Sequence, residues 1–159
     1  MAIPDFVKSL RAKIGRDPLP LVGVIAVVLD EQGRVLLVRR ADNHKWTLVT
    51  GIVDPGEQPA AAVVREVEEE TGVTAEVERL VAIEARDLAT LVNGDQVWWT
   101  GIGFRCRYVA GQARVNDDES TDVRWFDLTT MPELPEHQAR CLGLALADDP
   151  AAWFERPSS

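Results

Sequence analysis

The strongest restriction on the fold comes from a glycine- and proline-containing loop that leads directly into a helix. Residues 51–56 have the composition of a loop. Pro59 suits the first turn of a helix, and Gly72 stands where a left-handed C-terminal cap is expected. The residues between them, 60–70, are mostly good helix formers. We therefore predict a helix that begins at Pro59 and ends at Thr71.

Segments rich in β-branched and aliphatic residues flank this helix on both sides. They predict strands at residues 23–29, 35–38, 46–49, 73–84, 97–109 and 123–126. The turn-forming residues 30–33 predict a β-hairpin between the first two strands. Apolar residues at helical spacing predict further helices over Ile3 to Ile14 and His137 to Leu146. Strands interrupted by helices indicate an α/β fold with a mixed sheet between helical layers.

The length of 159 residues and the hydrophobic content of 46% predict a single domain with a real core. Residues 1–20 are interpreted as an N-terminal helix and linker, and residues 156–159 as a loose tail. The apolar stripe of the N-terminal helix predicts that it packs on the core of its own chain. The alternative is an arm that binds a partner.

The charge and hydropathy patterns exclude several classes of function. A net charge of -9 and a pI near 4.7 repel polyphosphate backbones, so we expect no binding to long DNA or RNA. No run of about 18 apolar residues and no basic leader is present, so we expect no membrane segment and a cytoplasmic location. Cys106 and Cys141 lack metal-ligand spacing and are expected to be reduced, buried thiols.

Three glutamates of the predicted helix, Glu66, Glu69 and Glu70, are related by offsets of three and four residues. Their carboxylates therefore project towards a shared volume, although like charges at these spacings cost about 0.2–0.5 kcal/mol per pair. Arg65 is the only basic residue in the helix and lies one turn before Glu69. Oxygen ligands in this number suit a hard divalent cation such as Mg2+. The alternative is an acidic face in contact with solvent.

A second face of the same helix is apolar. It is predicted to be buried and consists of Ala60, Val63, Val64, Val67 and Thr71. Glu57 stands just ahead of the helix, from where it can reach the volume shared by the helix glutamates.

The segment from Gly51 to Val73 resembles the complete Nudix box. Glycine, glutamate, an arginine–glutamate pair, an aliphatic residue, a glutamate pair, glycine and a final aliphatic residue all stand at the positions of the family pattern. Ordinary residue usage would produce such a match at a given start on the order of once in a billion. The flanking strands, the second helix and the overall length also resemble the family's α/β/α sandwich.

The resemblance implies roles for individual residues. It makes Glu57, Glu66, Glu69 and Glu70 ligands of Mg2+, with Mn2+ as a substitute. Arg65 is implied to orient a carboxylate, Glu66 is the leading candidate for the general base, and Glu69 acts beside it in catalysis. Glu119, in the acidic loop 116–120, resembles a carboxylate that some members use on metal or water. Where many relatives have proline and two glycines, this chain has Val49, Thr50 and Gly51, so a metal-binding carbonyl would come from Thr50.

Several further side chains are candidates for contact with the substrate. Trp46 is a candidate for base stacking, and Arg39 and Arg40 for contact with phosphate. Trp98 and Trp99 are adjacent on one strand, so they cannot both face the site. The alternatives are core or interface packing for the tryptophans and a solvated loop for the arginines.

The resemblance implies a hydrolase that cleaves the pyrophosphate linkage of a nucleoside triphosphate or another nucleoside diphosphate derivative. It also implies a homodimer. One alternative is a nucleotide-sensing module without turnover, but such modules often lose the box glutamates that this chain keeps. The other is an isoprenoid diphosphate isomerase, which needs a catalytic cysteine; neither Cys106 nor Cys141 lies in a motif that supports that role.

Overall fold

The structure, a computed structural model, describes residues 3–158. The helices of this range are α1 (Asp5–Ile14), α2 (Pro59–Thr71) and α3 (Glu136–Leu146). The longer strands are β1 (Leu19–Leu29), β2 (Val35–Arg40), β4 (Val49–Ile52), β5 (Val73–Ala85), β7 (Gln96–Gly111) and β8 (Ser120–Phe126). Two-residue strands are β3 (Trp46–Thr47), β6 (Ala89–Thr90) and β9 (Trp153–Phe154).

All of these strands belong to one mixed sheet. Its main path runs in the order β3-β2-β1-β7-β5-β9, while β4 pairs with β1, β6 with β7, and β8 with β2. At the centre, β1 runs parallel to β7 from Leu19↔Val97 to Leu29↔Arg107. Strand β5 lies antiparallel on the other side of β7. The α/β fold class with a mixed sheet is confirmed.

The two faces of β1 pack against different helices, because successive residues of a strand point in opposite directions. One face packs against α2 in a cluster that contains Val24, Ala26, Val28, Val63 and Val67. The other packs against α3 in a cluster that contains Ile25, Val27, Leu29, Cys141 and Leu142. The result is a sheet between two helical layers. Both cysteines are buried free thiols, as predicted.

Helix α1 packs on its own chain, at the end of the sheet where β1 begins. Its buried Val7 joins Leu19 and Val97 in a small apolar cluster. Arg11 donates through Nη2 to the carbonyl of Gln96 at 2.6 Å, which ties the helix to the start of β7. The helix begins two residues later than predicted, and Leu10 of its predicted apolar stripe is exposed.

The predicted hairpin between β1 and β2 is wrong over most of its length. Both strands exist, but they pair only at Leu29↔Val35. The middle of β1 instead pairs with β4, from Gly23↔Ile52 to Ala26↔Val49. Strand β2 pairs with β8 and with β3. The predicted turn at residues 30–33 is present, with the N–H of Gly33 bonded to the carbonyl of Asp30. Beyond the turn, the two strands separate because each pairs with strands later in the chain.

The predicted strand over residues 46–49 is divided in two at Leu48, because the chain leaves β2 and joins β1 there. The backbone N–H of Leu48 donates to Oε1 of Gln138 in α3 at 2.7 Å. A buried side chain thus satisfies the donor that the break releases. A cleft lies beside this division, lined by Val38 and Arg40 of β2 and by Thr50 of β4.

The short strands β6 and β9 were not predicted, since two residues carry too little pattern to recognise. Residues 156–158 have no regular secondary structure, and Ser159 of the predicted tail lies outside the described residues. Met1 and Ala2 of the predicted N-terminal segment lie outside them too. Across residues 3–158, none of the helices has both the length and the apolar character needed to span a bilayer.

The distance between α3 and the sheet depends on Gly103. A Cβ built on Gly103 would lie 2.6 Å from Sγ of buried Cys141. We expect Gly103→Ala to lower the free energy of unfolding by about 1–3 kcal/mol through overpacking, as measured by chemical denaturation. Cys141→Ala in the same chain should recover part of the loss.

The matched control for this change is Gly101→Ala, two residues earlier on β7. There a Cβ would meet no atom closer than 3.7 Å. An equal loss of stability for both glycine substitutions would contradict the packing explanation.

Candidate active site

Helix α2 brings the predicted site residues together. It begins at Pro59 and ends at Thr71 as predicted, and Gly72 caps it in the left-handed region with φ 68° and ψ 12°. Its buried residues are Ala62, Val63, Glu66, Val67, Glu70 and Thr71. The predicted apolar face is corrected here, because Ala60 is exposed and Val64 is only half-buried. The helix is rotated so that two glutamates lie on the side that packs against the sheet.

The carboxylate of Glu66 lies directly against the backbone of β4. A Cβ built on Gly51 would overlap Cγ, Cδ and Oε1 of Glu66. Glycine at position 51 is therefore a steric requirement for this position of the carboxylate. Glu66 is 8% exposed. Burial raises the pKa of Glu66, and the neighbouring Arg65 opposes that change.

Arg65 is the centre of a cluster that joins the loop, the strand and the helix. Its Nε and Nη2 donate to the two oxygens of Glu57, both at 2.9 Å. Its Nη1 donates to Oε1 of Glu66 at 3.0 Å and to Oε2 of Glu69 at 3.1 Å. Nη2 also donates to the carbonyl of Ile52 at 3.2 Å. The predicted contact between Arg65 and Glu69 is present.

This cluster stabilises charges of both signs. The hydrogen bonds from Arg65 hold the pKa of Glu57 below its ordinary value. The pKa of Arg65 is raised in turn, with the hydrogen bond to Glu57 as the largest cause. The Glu69 side chain, 58% exposed, is the outermost member of the cluster.

Glu70 lies one turn after Glu66 on the same side of α2 and lines a cavity of about 420 Å³, which we term the acidic cavity. Its lining residues are Val38, Arg40, Ala41, Asp42, Thr47, Thr50, Glu70, Asp118, Glu119 and Ser120. Burial raises the pKa of Glu70, and the negative charges of Glu66 and Asp117 raise it further, while Arg40 opposes them. The structure thus brings four predicted residues, Arg40, Thr50, Glu70 and Glu119, to one cavity.

Two carboxylates of the acidic cavity were not singled out from the sequence. Asp118 belongs to the acidic loop that was predicted, next to Glu119, and only the folded position of the loop reveals it. Asp42 pairs with Arg40 through bonds of 2.8 and 2.5 Å. In the sequence, the position of Asp42 two residues after Arg40 was the feature that could have identified it.

The oxygen donors at α2 fit a hard divalent cation. Glu66 and Glu70 are buried carboxylates, and a cation beside them would offset the unfavourable burial of their negative charge. Among residues 3–158, no three carboxylate, imidazole or thiol groups already converge as a metal-binding cluster. Arg65 holds Glu57, Glu66 and Glu69 on its own guanidinium, which explains why these oxygens do not point at one another.

A second cavity of about 300 Å³, the basic cavity, adjoins the first at Arg40, Thr47 and Thr50. Its other lining residues are Gly23, Val24, Ile25, Asn43, Lys45, Gly51, Arg86, Leu91, Trp99, Gly101, Pro135, His137 and Gln138. Trp99 faces this cavity, whereas Trp98 is 48% exposed. The two tryptophans therefore occupy opposite faces, as predicted.

Two residues predicted to contact the substrate lie away from both cavities. Trp46 lines neither cavity and packs edge-on against Phe126, with ring centroids 4.9 Å apart. Arg39 also lines neither cavity, and its Nε donates to the carbonyl of His44 at 3.1 Å. Both residues lie on strand segments whose alternation directs them away from the cleft, whereas neighbouring Arg40 reaches it.

The sequence profile of the NUDIX domain matches residues 19–142. The chain belongs to the Nudix hydrolase family. A MutT-like protein of Streptomyces ambofaciens is 37% identical over 131 residues, which cover 82% of this chain and 77% of that protein. The human 8-oxo-dGDP phosphatase NUDT18 is 33% identical over 115 residues, which cover 69% of this chain but only 33% of the human protein.

The fold comparison agrees with the sequence comparison. The crystal structure of a MutT Nudix hydrolase from Burkholderia pseudomallei superposes with a TM-score of 0.66 and 29% identity. The match covers 79% of this chain and 98% of the Burkholderia chain. The prediction of a Nudix-type hydrolase is confirmed at the level of the family.

Gly51→Ala tests whether activity depends on the position of the Glu66 carboxylate against β4. The added methyl group would displace the Glu66 carboxylate, and we expect phosphoanhydride hydrolysis to fall by about 100-fold, as expected for small displacements of a site group. Steady-state hydrolysis and circular dichroism measure the activity and the fold. Gly143→Ala is the control, since a Cβ there meets nothing within 4 Å. Full activity of Gly51→Ala would show that the position of Glu66 is unimportant.

His137 should make stability depend on pH. Burial, assisted by the charge of Arg86, lowers its pKa to about 4. The imidazole takes up a proton near pH 6.5 in the unfolded chain but only near pH 4 in the folded chain. The folded state therefore loses stability as pH falls from about 6.5 towards 4, and it loses no stability through His137 above pH 6.5. We expect His137→Gln to remove this component. Denaturation of both proteins at several pH values measures it, and parallel pH profiles would contradict it.

Proposed function

We propose that this chain is a metal-dependent hydrolase that cleaves the pyrophosphate linkage of a nucleoside triphosphate or another nucleoside diphosphate derivative. The observation that carries the proposal is the pair of buried carboxylates on α2, Glu66 and Glu70, beside a cleft. Burying two like charges is costly unless a positive charge compensates them. A divalent cation bound beside Glu66 and Glu70 would supply that positive charge.

Glu57, Glu66, Glu69 and Glu70 are the side chains that would hold Mg2+, or Mn2+ as a substitute, with the carbonyl of Thr50 as a further oxygen. A bound cation of this kind neutralises charge on phosphate oxygens and lowers the pKa of a bound water. Glu66 is the candidate to accept the proton of the attacking water. Its place on Gly51 fixes the carboxylate, which a general base requires.

Arg65 and Arg40 have different proposed roles. Arg65 positions carboxylates, because all of its side-chain hydrogen bonds within residues 3–158 go to Glu57, Glu66, Glu69 and the Ile52 carbonyl. Arg40 lies where the two cavities join and can contact a phosphate group there. Its ion pair with Asp42 would have to open for that contact.

The substrate class is supported by the division of the cleft. The carboxylate-lined cavity suits the diphosphate with its cation, and the basic cavity next to it suits the group attached to the diphosphate. The human relative is named for cleavage of 8-oxo-dGDP, a nucleoside diphosphate. The homodimer and the cytoplasmic location stay predictions from the sequence.

Glutamine at position 69 or 70 tests the proposal. Either Glu69→Gln or Glu70→Gln should lower kcat by roughly 100-fold or more, because a ligand charge is removed while the side-chain shape is kept. Phosphate release from nucleoside diphosphate derivatives in Mg2+ measures the loss. Glu68→Gln is the matched control, since Glu68 is exposed on the same helix.

Chelation should abolish wild-type turnover, and added Mg2+ should restore it. Unchanged activity in both Glu69→Gln and Glu70→Gln would overturn the assignment of these carboxylates. Nucleotide binding without hydrolysis under any metal condition would favour a sensing module instead.

A further inference from the structure

Arg86 occupies an unusual position in the basic cavity. Its guanidinium is half-buried, and its pKa is lowered by that burial. Among residues 3–158 it forms no ion pair, and its side-chain contact is with Nδ1 of His137 at 3.5 Å. A guanidinium has five N–H donors. Most of the hydrogen-bonding capacity of Arg86 is therefore available to a ligand.

His137 does not use up this capacity. The arginine can only donate, so the contact requires Nδ1 of His137 to be an unprotonated acceptor. The pKa of about 4 keeps the imidazole neutral at physiological pH. His137 therefore accepts at most one bond from Arg86 and adds no negative charge.

The charges around the basic cavity all have one sign. Arg40, Lys45 and Arg86 line it, and none of its lining residues is acidic. This contrasts with the net charge of -9 of the whole chain and with the neighbouring acidic cavity. The basic cavity is suited to a group that presents hydrogen-bond acceptors.

The cavity also has a floor that suits a planar group. Gly23 on β1 and Gly101 on β7 are register partners, so two adjacent strands carry no side chain there. A Cβ on Gly23 would lie 3.2 Å from Cε3 of Trp99, which places the indole over that glycine. An indole beside a bare stretch of sheet offers an apolar surface against which a ring can stack.

We propose that the basic cavity binds the nucleobase of the substrate, and that Arg86 is a specificity-determining residue that selects a purine with oxygen at C6. This inference rests on the proposed function. A guanidinium fork matches the adjacent O6 and N7 acceptors of such a purine. Adenine has an amino group in place of O6, so its donor would face the donors of Arg86. Trp99 supplies the stacking surface.

An anionic group on the substrate is the other source of acceptors that could meet Arg86. Such a group is the same in nucleotides that differ only in their base, so contact of Arg86 with an anion would affect all of them equally. The effect of Arg86→Gln on nucleotides with different bases therefore separates recognition of the base from attraction of an anion.

The experiment measures kcat and KM with guanosine, inosine and adenosine diphosphate derivatives that share one leaving group. For the wild-type protein we expect kcat/KM to favour guanosine and inosine over adenosine by about 10- to 100-fold, the range of a good bidentate contact. Both Arg86→Gln and Arg86→Lys should remove that preference mainly through KM. Their kcat for the adenosine compound should change less than threefold, an order-of-magnitude allowance for a residue outside the chemistry.

Two controls accompany these variants. Arg107→Gln removes one positive charge from β7, at a residue whose exposed side chain pairs with Glu76 and does not line the basic cavity. It should leave the base preference intact. Gly101→Val should raise KM for all three nucleotides, because it fills the floor, while its Cβ meets no atom closer than 3.7 Å.

Binding of guanosine and adenosine monophosphates without metal, measured by calorimetry, separates this inference from the proposed function. Guanosine-selective binding that Arg86→Gln abolishes would support the base site even if no hydrolysis is found. Equal effects of Arg86→Gln on adenine and guanine compounds would overturn it. An equal loss of kcat/KM for all three nucleotides in Arg86→Gln that Arg86→Lys restores would assign Arg86 to an anionic group.

Discussion

The guanidinium of Arg65 is the interaction on which the site depends. It binds Glu57 from the loop, Glu66 and Glu69 from α2, and the carbonyl of Ile52 at the end of β4. Charge-assisted hydrogen bonds of this kind are stronger than neutral ones, and the fork geometry also fixes direction. Three separate parts of the backbone are thereby held in one arrangement. The carboxylates would otherwise repel one another at helical spacing.

The same arrangement relies on a backbone that has no side chain at Gly51. Glu66 can approach β4 only because residue 51 has no Cβ. The chain reaches this strand by leaving β2 at Leu48, where a side chain of α3 satisfies the released N–H. The strand interruption at Leu48 and the glycine against which the Glu66 carboxylate packs therefore lie within one segment of four residues, 48–51.

The cleft has two electrostatic halves that meet at Arg40. Carboxylates dominate one half, and cationic side chains without acidic partners in the lining dominate the other. A diphosphate with a cation and an attached base needs both kinds of environment within a short distance. The overall negative charge of the chain therefore says little about the local field that a substrate would meet.

The sequence by itself determined α2, its caps, the position of the site glutamates along the chain and the family. These features are local, because helical spacing and cap chemistry depend on residues within a few positions of one another. Only the tertiary structure decided which strands pair, why Glu66 and Glu70 are buried while Ala60 is exposed, and that Trp99 and Arg86 rather than Trp46 and Arg39 line the cleft. Those outcomes depend on contacts between residues far apart in the chain, such as Gly51 with Glu66 and Leu48 with Gln138. A local pattern specifies which faces an element has, but its packing partners decide which face is buried.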